Sequence, residues 1–196
     1  MITIPLRILL VEDVKTDAEL IIWHINKIVE FPHVKVVDDL EDFELALQSF
    51  VPDVVISDYN LPTSSGIEIF ESARSTDDSI PFIFLTGTIE DEVLASNTFL
   101  AGASGFILKK HMDNLDAKLG PLLKQIVFNM VGRTEIREKV RQNKIAVNQI
   151  YNYLDNLNVD TEEQRENIIQ IRKNIENIKS DAGKVKGRNK GASQGD

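Results

Sequence analysis

Short apolar runs recur along the first 130 residues, and polar segments separate them. The runs lie at Arg7–Val11, Val34–Val37, Val54–Ser57, Pro81–Leu85 and Gly105–Leu108. They show no regular alternation of apolar and polar positions, which is typical of strands that are covered on both faces. We therefore predict five buried strands.

Amphipathic segments of helical period lie between these runs. They are Asp17–Val29, Glu41–Phe50, Gly66–Ser75 and Glu90–Leu100. Strands that alternate with helices of about 10–15 residues favour βαβ units and a parallel sheet. We predict an α/β fold with a doubly wound five-stranded parallel sheet in the order 2-1-3-4-5. A further helix is expected to start near Pro121, after the break at Gly120-Pro121.

The pattern changes after Gly132, where strand signals end and apolar residues follow an alternating spacing of four and three. These positions are Ile136, Val140, Val147, Ile150, Leu154, Leu157, Ile168, Ile171, Ile175 and Ile178. Asn143, Thr161 and Gln164 are the polar members of the same register. A sustained heptad of this kind predicts a long α-helical coiled coil. Because Thr161 and Gln164 also have the spacing of a capping box, a hairpin of two helices stays open as a second model.

Composition limits the class of protein. The formal net charge is −9 and there is no cysteine, so disulfides and thiolate metal sites are excluded. No signal peptide and no apolar run of about 20 residues is present, so we expect a cytoplasmic protein without a membrane contact. The acids concentrate in the first 130 residues, which disfavours nucleic-acid binding there. We predict a globular domain at residues 1–131, a helical extension at 132–180 and a disordered tail at 181–196.

The carboxyl ends of the predicted strands carry the candidate chemistry, because ligands bind at this edge of a doubly wound sheet. Strand one leads to Glu12 and Asp13, strand three to Asp58, strand four to Thr86 and strand five to Lys109. Three carboxylates in one crevice repel one another unless a cation lies among them. Mg²⁺ suits a few hard oxygen ligands with room for water.

A carboxylate at such a site can attack phosphorus and form an acyl phosphate. The transferred phosphoryl group needs positive charge and hydrogen-bond donors around its oxygens. Lys109 would supply the charge and the Thr86 hydroxyl a donor. The combined pattern therefore predicts phosphoryl transfer to one of these carboxylates.

Four motifs of the chain resemble the receiver domain of two-component response regulators. They are LLVEDV (Leu9–Val14), SDYNLPTSSG (Ser57–Gly66), PFIFLTGT (Pro81–Thr88) and AGASGFILK (Ala101–Lys109). The resemblance covers residues 4–130. Within the family, the chain is similar to receivers attached to PAS, histidine-kinase and cyclase output regions. The resemblance implies a flavodoxin-like fold and a signalling switch in a phosphorelay rather than an enzyme that turns over a substrate.

The resemblance also implies a role for each acidic residue. Asp58 would accept a phosphoryl group from the phosphohistidine of a histidine kinase or a histidine-phosphotransfer protein. Asp13 and Asp58 would bind Mg²⁺, Asn60 would bind it through its backbone carbonyl, and Glu12 would support the metal directly or through water.

The remaining roles concern the bound phosphoryl group and the response to it. Thr86 and Lys109 would contact the group, and Phe106 occupies the aromatic switch position. Most receivers follow the strand-five lysine with proline, often through a cis peptide, whereas this chain has Lys110. A non-proline cis bond costs about 2.5–4 kcal/mol, so the loop is expected to be either strained or trans and reshaped.

Two other functions stay open at this point. A phosphatase of the haloacid-dehalogenase type also has a nucleophilic Asp after a strand, but it needs a second Asp where this chain has Asn60. A scaffold with a receiver fold would act through its coiled coil without phosphorylation. No recognisable output module follows Gly132, so we predict a homodimer joined by the helical tail, with an effector protein that the sequence does not identify.

Overall fold

The computed structural model describes residues 1–87, 102–130 and 134–155, with residues 166, 168–171 and 173. The strands are β1 (Leu6–Val11), β2 (Pro32–Val37), β3 (Val54–Asp58), β4 (Phe82–Thr86) and β5 (Gly105–Leu108). The helices are α1 (Lys15–Ile28), α2 (Leu40–Ser49), α3 (Gly66–Thr76), α4 (Leu115–Met130) and α5 (Thr134–Asp155). A 3-10 helix, Lys109–Asn114, connects β5 to α4.

The five strands form one parallel sheet in the order β2-β1-β3-β4-β5, which confirms the predicted fold class and strand order. The central strand β3 pairs with β1 and β4, with Ile8 opposite Val54 and Asp58 opposite Leu85. Because neighbouring strands run in the same direction, their carboxyl ends meet at one edge of the sheet.

Strands β1, β3 and β4 are covered on both faces, which explains the absence of alternation in their sequences, whereas Val37 is the one buried residue of the edge strand β2. Along β1, Ile8 and Leu10 belong to the core shared with α1 and α4, whereas Leu9 and Val11 belong to the core shared with α2 and α3. All four side chains are fully buried. Each contributes about 1.5–3 kcal/mol to folding relative to an exposed side chain, so the strand ends are rigidly placed.

A capping box at the start of α3 fixes the loop that follows Asp58. The Ser65 hydroxyl accepts a hydrogen bond from the Glu68 backbone N–H at 3.3 Å, and the Glu68 carboxylate accepts one from the Ser65 N–H at 2.7 Å. These bonds hold the pKa of Glu68 below its usual range. The helix therefore begins at a defined residue next to the end of β3.

Helix α4 starts earlier than predicted, so the prediction of a helix that starts near Pro121 is wrong. The helix begins at Leu115, and Pro121 lies inside it with an exposed side chain. Leu119 and Leu123 on either side of the proline are both fully buried against the core. A continuous buried face outweighs the loss of one backbone hydrogen bond at Pro121.

The peptide that follows Lys109 is trans, since the described residues contain no cis peptide bond. The chain enters the 3-10 helix at Lys109 itself. Of the two expectations for Lys110, the trans and reshaped loop is therefore the one observed, in keeping with the high cost of a non-proline cis bond.

The first turns of α5 are bound to the amino ends of the strands, at the edge opposite to the candidate chemistry. Arg141 pairs with the buried carboxylate of Asp53, and its Nε donates to the Val51 carbonyl at 3.3 Å. Asp53 also accepts from the Arg7 backbone N–H at 2.9 Å. Val51 has a φ of 49°, a left-handed conformation that is costly for a β-branched residue, and these bonds stabilise its loop.

The chain divides into two compact units, Met1–Gln142 and Asn143–Asp196. In α5, the heptad residues Val140 and Ile150 are exposed, whereas Leu154 is buried. The helix predicted near Glu90–Leu100, the positions Leu157, Thr161, Gln164, Ile175 and Ile178, and the tail at 181–196 lie outside the described residues. The choice between a coiled coil and a hairpin, and the three predicted domain ranges, therefore stay predictions. Among the described helices, none is long and apolar enough to cross a membrane.

Candidate functional site

The polar residues predicted from the strand ends lie at the carboxyl edge of the sheet. β1 is followed by Glu12 and Asp13, and Asp58 and Thr86 are the last residues of β3 and β4. Lys109 follows β5 directly and begins the 3-10 helix. The parallel sheet thus places the ends of four different strands around one crevice.

Glu12, Asp13 and Asp58 form an acidic cluster in this crevice. Their carboxylates each offer an oxygen, and these oxygens all lie within 4.8 Å of one another. Glu12 and Asp58 are buried, with 2% and 5% of their surface exposed, whereas Asp13 is exposed. Buried carboxylates this close together disfavour ionisation unless a positive charge compensates them.

Lys109 provides the positive charge that faces this acidic cluster. Its ammonium donates to Asp58 Oδ2 at 2.6 Å and to Glu12 Oε1 at 3.0 Å. A third bond goes to Asp17 Oδ2, also at 3.0 Å. The three N–H groups of the ammonium thus match three carboxylates, from the residue after β1, from α1 and from the end of β3.

The pKa directions of Lys109 and Glu12 follow from these contacts. Burial lowers the pKa of Lys109, but the hydrogen bonds to Asp58, Glu12 and Asp17 outweigh it and raise that pKa above its usual value. Burial raises the pKa of Glu12, the contact with Lys109 opposes this effect, and the Asp58 charge adds to it. Lys109 is therefore firmly protonated, whereas burial disfavours the anionic form of Glu12.

One carboxylate oxygen of the acidic cluster accepts no hydrogen bond. Glu12 Oε2 is buried and has no hydrogen-bond partner, although it lies 2.8 Å from the Lys109 ammonium in a geometry unsuited to a hydrogen bond. A buried carboxylate oxygen of this kind, beside two further carboxylates, fits the oxygen donors that Mg²⁺ prefers. The residues present are therefore compatible with the metal that the sequence predicts.

The other predicted site residues lie around this crevice. The Asn60 backbone N–H donates to Asp58 Oδ1 at 3.1 Å and fixes the orientation of that carboxylate. Thr86 is fully buried at the end of β4. Phe106 is half-buried and packs against the core shared with α2 and α3. Their roles toward a metal, a phosphoryl group or a switch stay predictions.

Asp17 is the site residue that the sequence analysis missed. It lies in the first turn of α1, and its carboxylate contacts Lys109 across the mouth of the crevice. A usable signal was present, because Asp17 follows Asp13 by four residues at the start of the helix after β1. The start of such a helix lies at the same edge as the strand ends.

His24 is a buried histidine outside the crevice, and it has a structural partner. Its Nδ1 lies 2.9 Å from Asp116 Oδ1, which connects α1 to the first turn of α4. Burial tends to raise the pKa of Asp116, but its contact with His24 leaves that pKa below its usual value. The pair with Asp116 gives His24 a structural role between α1 and α4, while its Nε2 is buried and has no hydrogen-bond partner among the described residues.

Comparison with known proteins gives one family. The family model of the response regulator receiver domain matches residues 8–119. The transcriptional regulatory protein PhoP of Escherichia coli K12 is 32% identical over 95 residues, which cover 45% of this chain and 41% of PhoP. The transcriptional regulatory protein YvcP of Bacillus subtilis is 30% identical over 122 residues, covering 61% of this chain and 49% of YvcP. The chain thus spans less than two thirds of these curated relatives.

Solved structures agree with the sheet topology. The signal receiver domain of a Luxo repressor protein from Vibrio parahaemolyticus superposes with a TM-score of 0.55 at 26% identity, covering 64% of this chain and 95% of that one. The chemotaxis response regulator CheY4 of Vibrio cholerae has a TM-score of 0.53 at 22% identity, covering 61% and 99% of the two chains. The second similarity concerns the fold alone.

Proposed function

The chain belongs to the response regulator receiver domain family, and from this premise we propose that it is a phosphorylation-dependent switch with Asp58 as the acceptor. The observation that carries the proposal is the convergence of Asp58, Glu12 and Lys109 at one strand edge, with Lys109 2.6 Å from Asp58. A buried strand that ends in a carboxylate beside a cation gives a nucleophile of fixed position.

Phosphoryl transfer requires a carboxylate oxygen of Asp58 to attack the phosphorus of a phosphohistidine. An O–P bond forms while the P–N bond breaks, and the histidine nitrogen of the donor leaves with the bonding electron pair. Lys109 compensates the negative charge of the transferred group, and the Thr86 hydroxyl is the proposed donor to one of its oxygens. The histidine comes from a histidine kinase or a histidine-phosphotransfer protein.

Glu12, Asp13 and Asp58 are the side chains that would hold Mg²⁺, with the backbone carbonyl of Asn60 as a further proposed ligand. When bound, the metal supplies positive charge to the oxygens of the phosphoryl group. Glu12 Oε2 supports this assignment, because it is buried and accepts no hydrogen bond, although it is in ion-pair contact with Lys109.

The response to phosphorylation is expected to run through Phe106. This side chain is half-buried, and its packing is proposed to change when Thr86 engages the phosphoryl group. Because phenylalanine has no hydroxyl, the response would operate by packing alone. The output is then a changed protein–protein contact.

Intact mass spectrometry tests the proposed acceptor. Incubation with acetyl phosphate and Mg²⁺ is expected to add one phosphoryl group to the wild-type chain and none to Asp58→Asn. A wild-type chain that gains no phosphoryl group would contradict the proposal.

The helical tail is proposed to join two copies of the chain. Val140 and Ile150 lie in the heptad register and are 43% and 46% exposed, so their apolar surface is available to a partner helix. We expect the full chain to be a dimer by light scattering, and the double variant Val140→Lys, Ile150→Lys to be a monomer. Gln149→Lys, an exposed position of α5 outside the register, is the matched control and should stay dimeric. A monomeric wild-type chain would refute this role of the tail.

A further inference from the structure

Asp58 is engaged at both of its oxygens in this structure. Oδ1 accepts the Asn60 backbone N–H at 3.1 Å, and Oδ2 accepts the Lys109 ammonium at 2.6 Å. A charge-assisted hydrogen bond of this length withdraws electron density from the oxygen that accepts it. Lys109 thus weakens the nucleophile that it is expected to assist once a phosphoryl group has arrived.

A further carboxylate, that of Asp17 at the mouth of the crevice, also binds the Lys109 ammonium. Asp17 Oδ2 accepts from this ammonium at 3.0 Å, and the Asp17 side chain is 36% exposed, against 8% for Asp58 and 0% for Glu12. Asp17 therefore binds the ammonium from the solvent side, whereas the other two carboxylates bind it from inside.

We propose that Asp17 is a positioning residue for phosphoryl transfer, a role that rests on the proposed function of Asp58. It holds the Lys109 ammonium at the mouth of the crevice, so that Lys109 can leave Asp58 Oδ2 and still remain beside the incoming phosphoryl group. Without Asp17, the partners left to the Lys109 ammonium among the described residues are Glu12 and Asp58, and the ammonium stays on the nucleophile.

The direction of the effect separates positioning from simple electrostatics. Removal of one negative charge from the crevice favours the approach of an anionic donor, so electrostatics alone predicts faster phosphorylation at saturating Mg²⁺. The positioning role predicts slower phosphorylation, because the ammonium then competes for Asp58. The two explanations therefore give opposite signs for the same variant.

The test is the initial rate of phosphorylation by acetyl phosphate at saturating Mg²⁺, followed by intact mass spectrometry of the full chain. Asp17→Asn is expected to lower the rate about threefold to fivefold, the range that a half-exposed ion pair supports. Asp17→Glu keeps the carboxylate and should recover most of the rate. Glu19→Gln removes an exposed charge from the same helix and should match the wild type.

A rate for Asp17→Asn equal to or above that of the wild type would overturn the positioning role. A wild-type chain without any adduct would instead defeat the proposed function. In that case a double-mutant cycle in urea, with Asp17→Asn and Lys109→Met, still measures whether the two residues are coupled. An absence of coupling would overturn the pairing of Asp17 with Lys109 independently of phosphorylation.

Discussion

Replacement of Lys109 by methionine is expected to lower the free energy of unfolding by about 3 kcal/mol at neutral pH. Methionine keeps the length of the side chain but removes the cation that contacts Glu12, Asp17 and Asp58. Glu12 and Asp58 are both buried, so their charges then face each other without compensation. Urea unfolding of the two chains gives the difference directly.

The pH dependence of this loss has a definite sign. Burial already raises the pKa of Glu12, and loss of Lys109 removes the contact that opposes the rise. The native state of the variant therefore binds protons more tightly than the unfolded state, so its stability increases as pH falls through the raised pKa and decreases at higher pH. The deficit should be largest at neutral pH and should shrink on acidification.

Mg²⁺ is expected to restore part of the stability of Lys109→Met, because a bound cation favours the native state by mass action. Lys110→Met is the matched control, since Lys110 is the next residue and is exposed. The urea concentration at the midpoint of unfolding should be the same for Lys110→Met as for the wild type. A Lys109→Met chain as stable as the control at neutral pH would show that the acidic cluster does not need this cation.

The second large effect is expected from Gly66→Ala, which should lower the free energy of unfolding by about 3 kcal/mol. A Cβ at this position would lie 2.7 Å from Tyr59 Cα and 2.8 Å from the Asp58 carbonyl oxygen. Both atoms belong to backbone, so relief of the overlap must move the end of β3 or the start of α3. Because that movement displaces Asp58, the rate of phosphorylation should fall together with stability.

Gly120→Ala is the control for this substitution. Its Cβ would meet only Ile28 side-chain atoms at 3.9–4.0 Å, an ordinary contact, and alanine is favoured over glycine within a helix by about 0.5–1 kcal/mol. Chemical denaturation should therefore show Gly66→Ala less stable and Gly120→Ala at least as stable as the wild type. Equal stability of all three chains would exclude a close approach at Gly66.

The sequence predicts the sheet well because the strand signal is local and unambiguous. Arg7–Val11 and Val54–Ser57 are apolar without alternation, and the structure places strands at Leu6–Val11 and Val54–Asp58. The candidate site follows from the same fact, because parallel strands bring their carboxyl ends to one edge. Because Asp58 ends β3 and Lys109 follows β5, the sequence alone is enough to predict that these two residues lie close together.

The start of α4 could not be predicted in the same way, because a tertiary contact decides it. Gly120-Pro121 is a strong local signal for the beginning of a helix, yet Leu115 and Leu119 are fully buried before it. The apolar face that they share with Leu123 packs on the core, and this packing overrides the local preference.

The sequence can place Asp17 at the edge of the candidate site, but it does not identify the partners in two of the ion pairs. The contact between Lys109 and Asp17 joins residues 92 positions apart, and the contact between Arg141 and Asp53 joins residues 88 positions apart. Many exposed acids are equally plausible partners for a lysine or arginine until the backbone is known. The structure selects among them by placing one carboxylate within reach.

The central claim is that Asp58 accepts a phosphoryl group, and the most direct measurement is intact mass after incubation with acetyl phosphate, with and without Mg²⁺. The wild-type chain and Asp38→Asn, a control in a separate exposed group of acids, are expected to gain one phosphoryl group only with Mg²⁺. Asp58→Asn should gain none, and hydroxylamine should remove the group, as it does from an acyl phosphate but not from a phosphorylated Ser or Thr. No adduct on the wild type, or an equal adduct on Asp58→Asn, would contradict the account, and the first result would leave a scaffold without phosphorylation as the function.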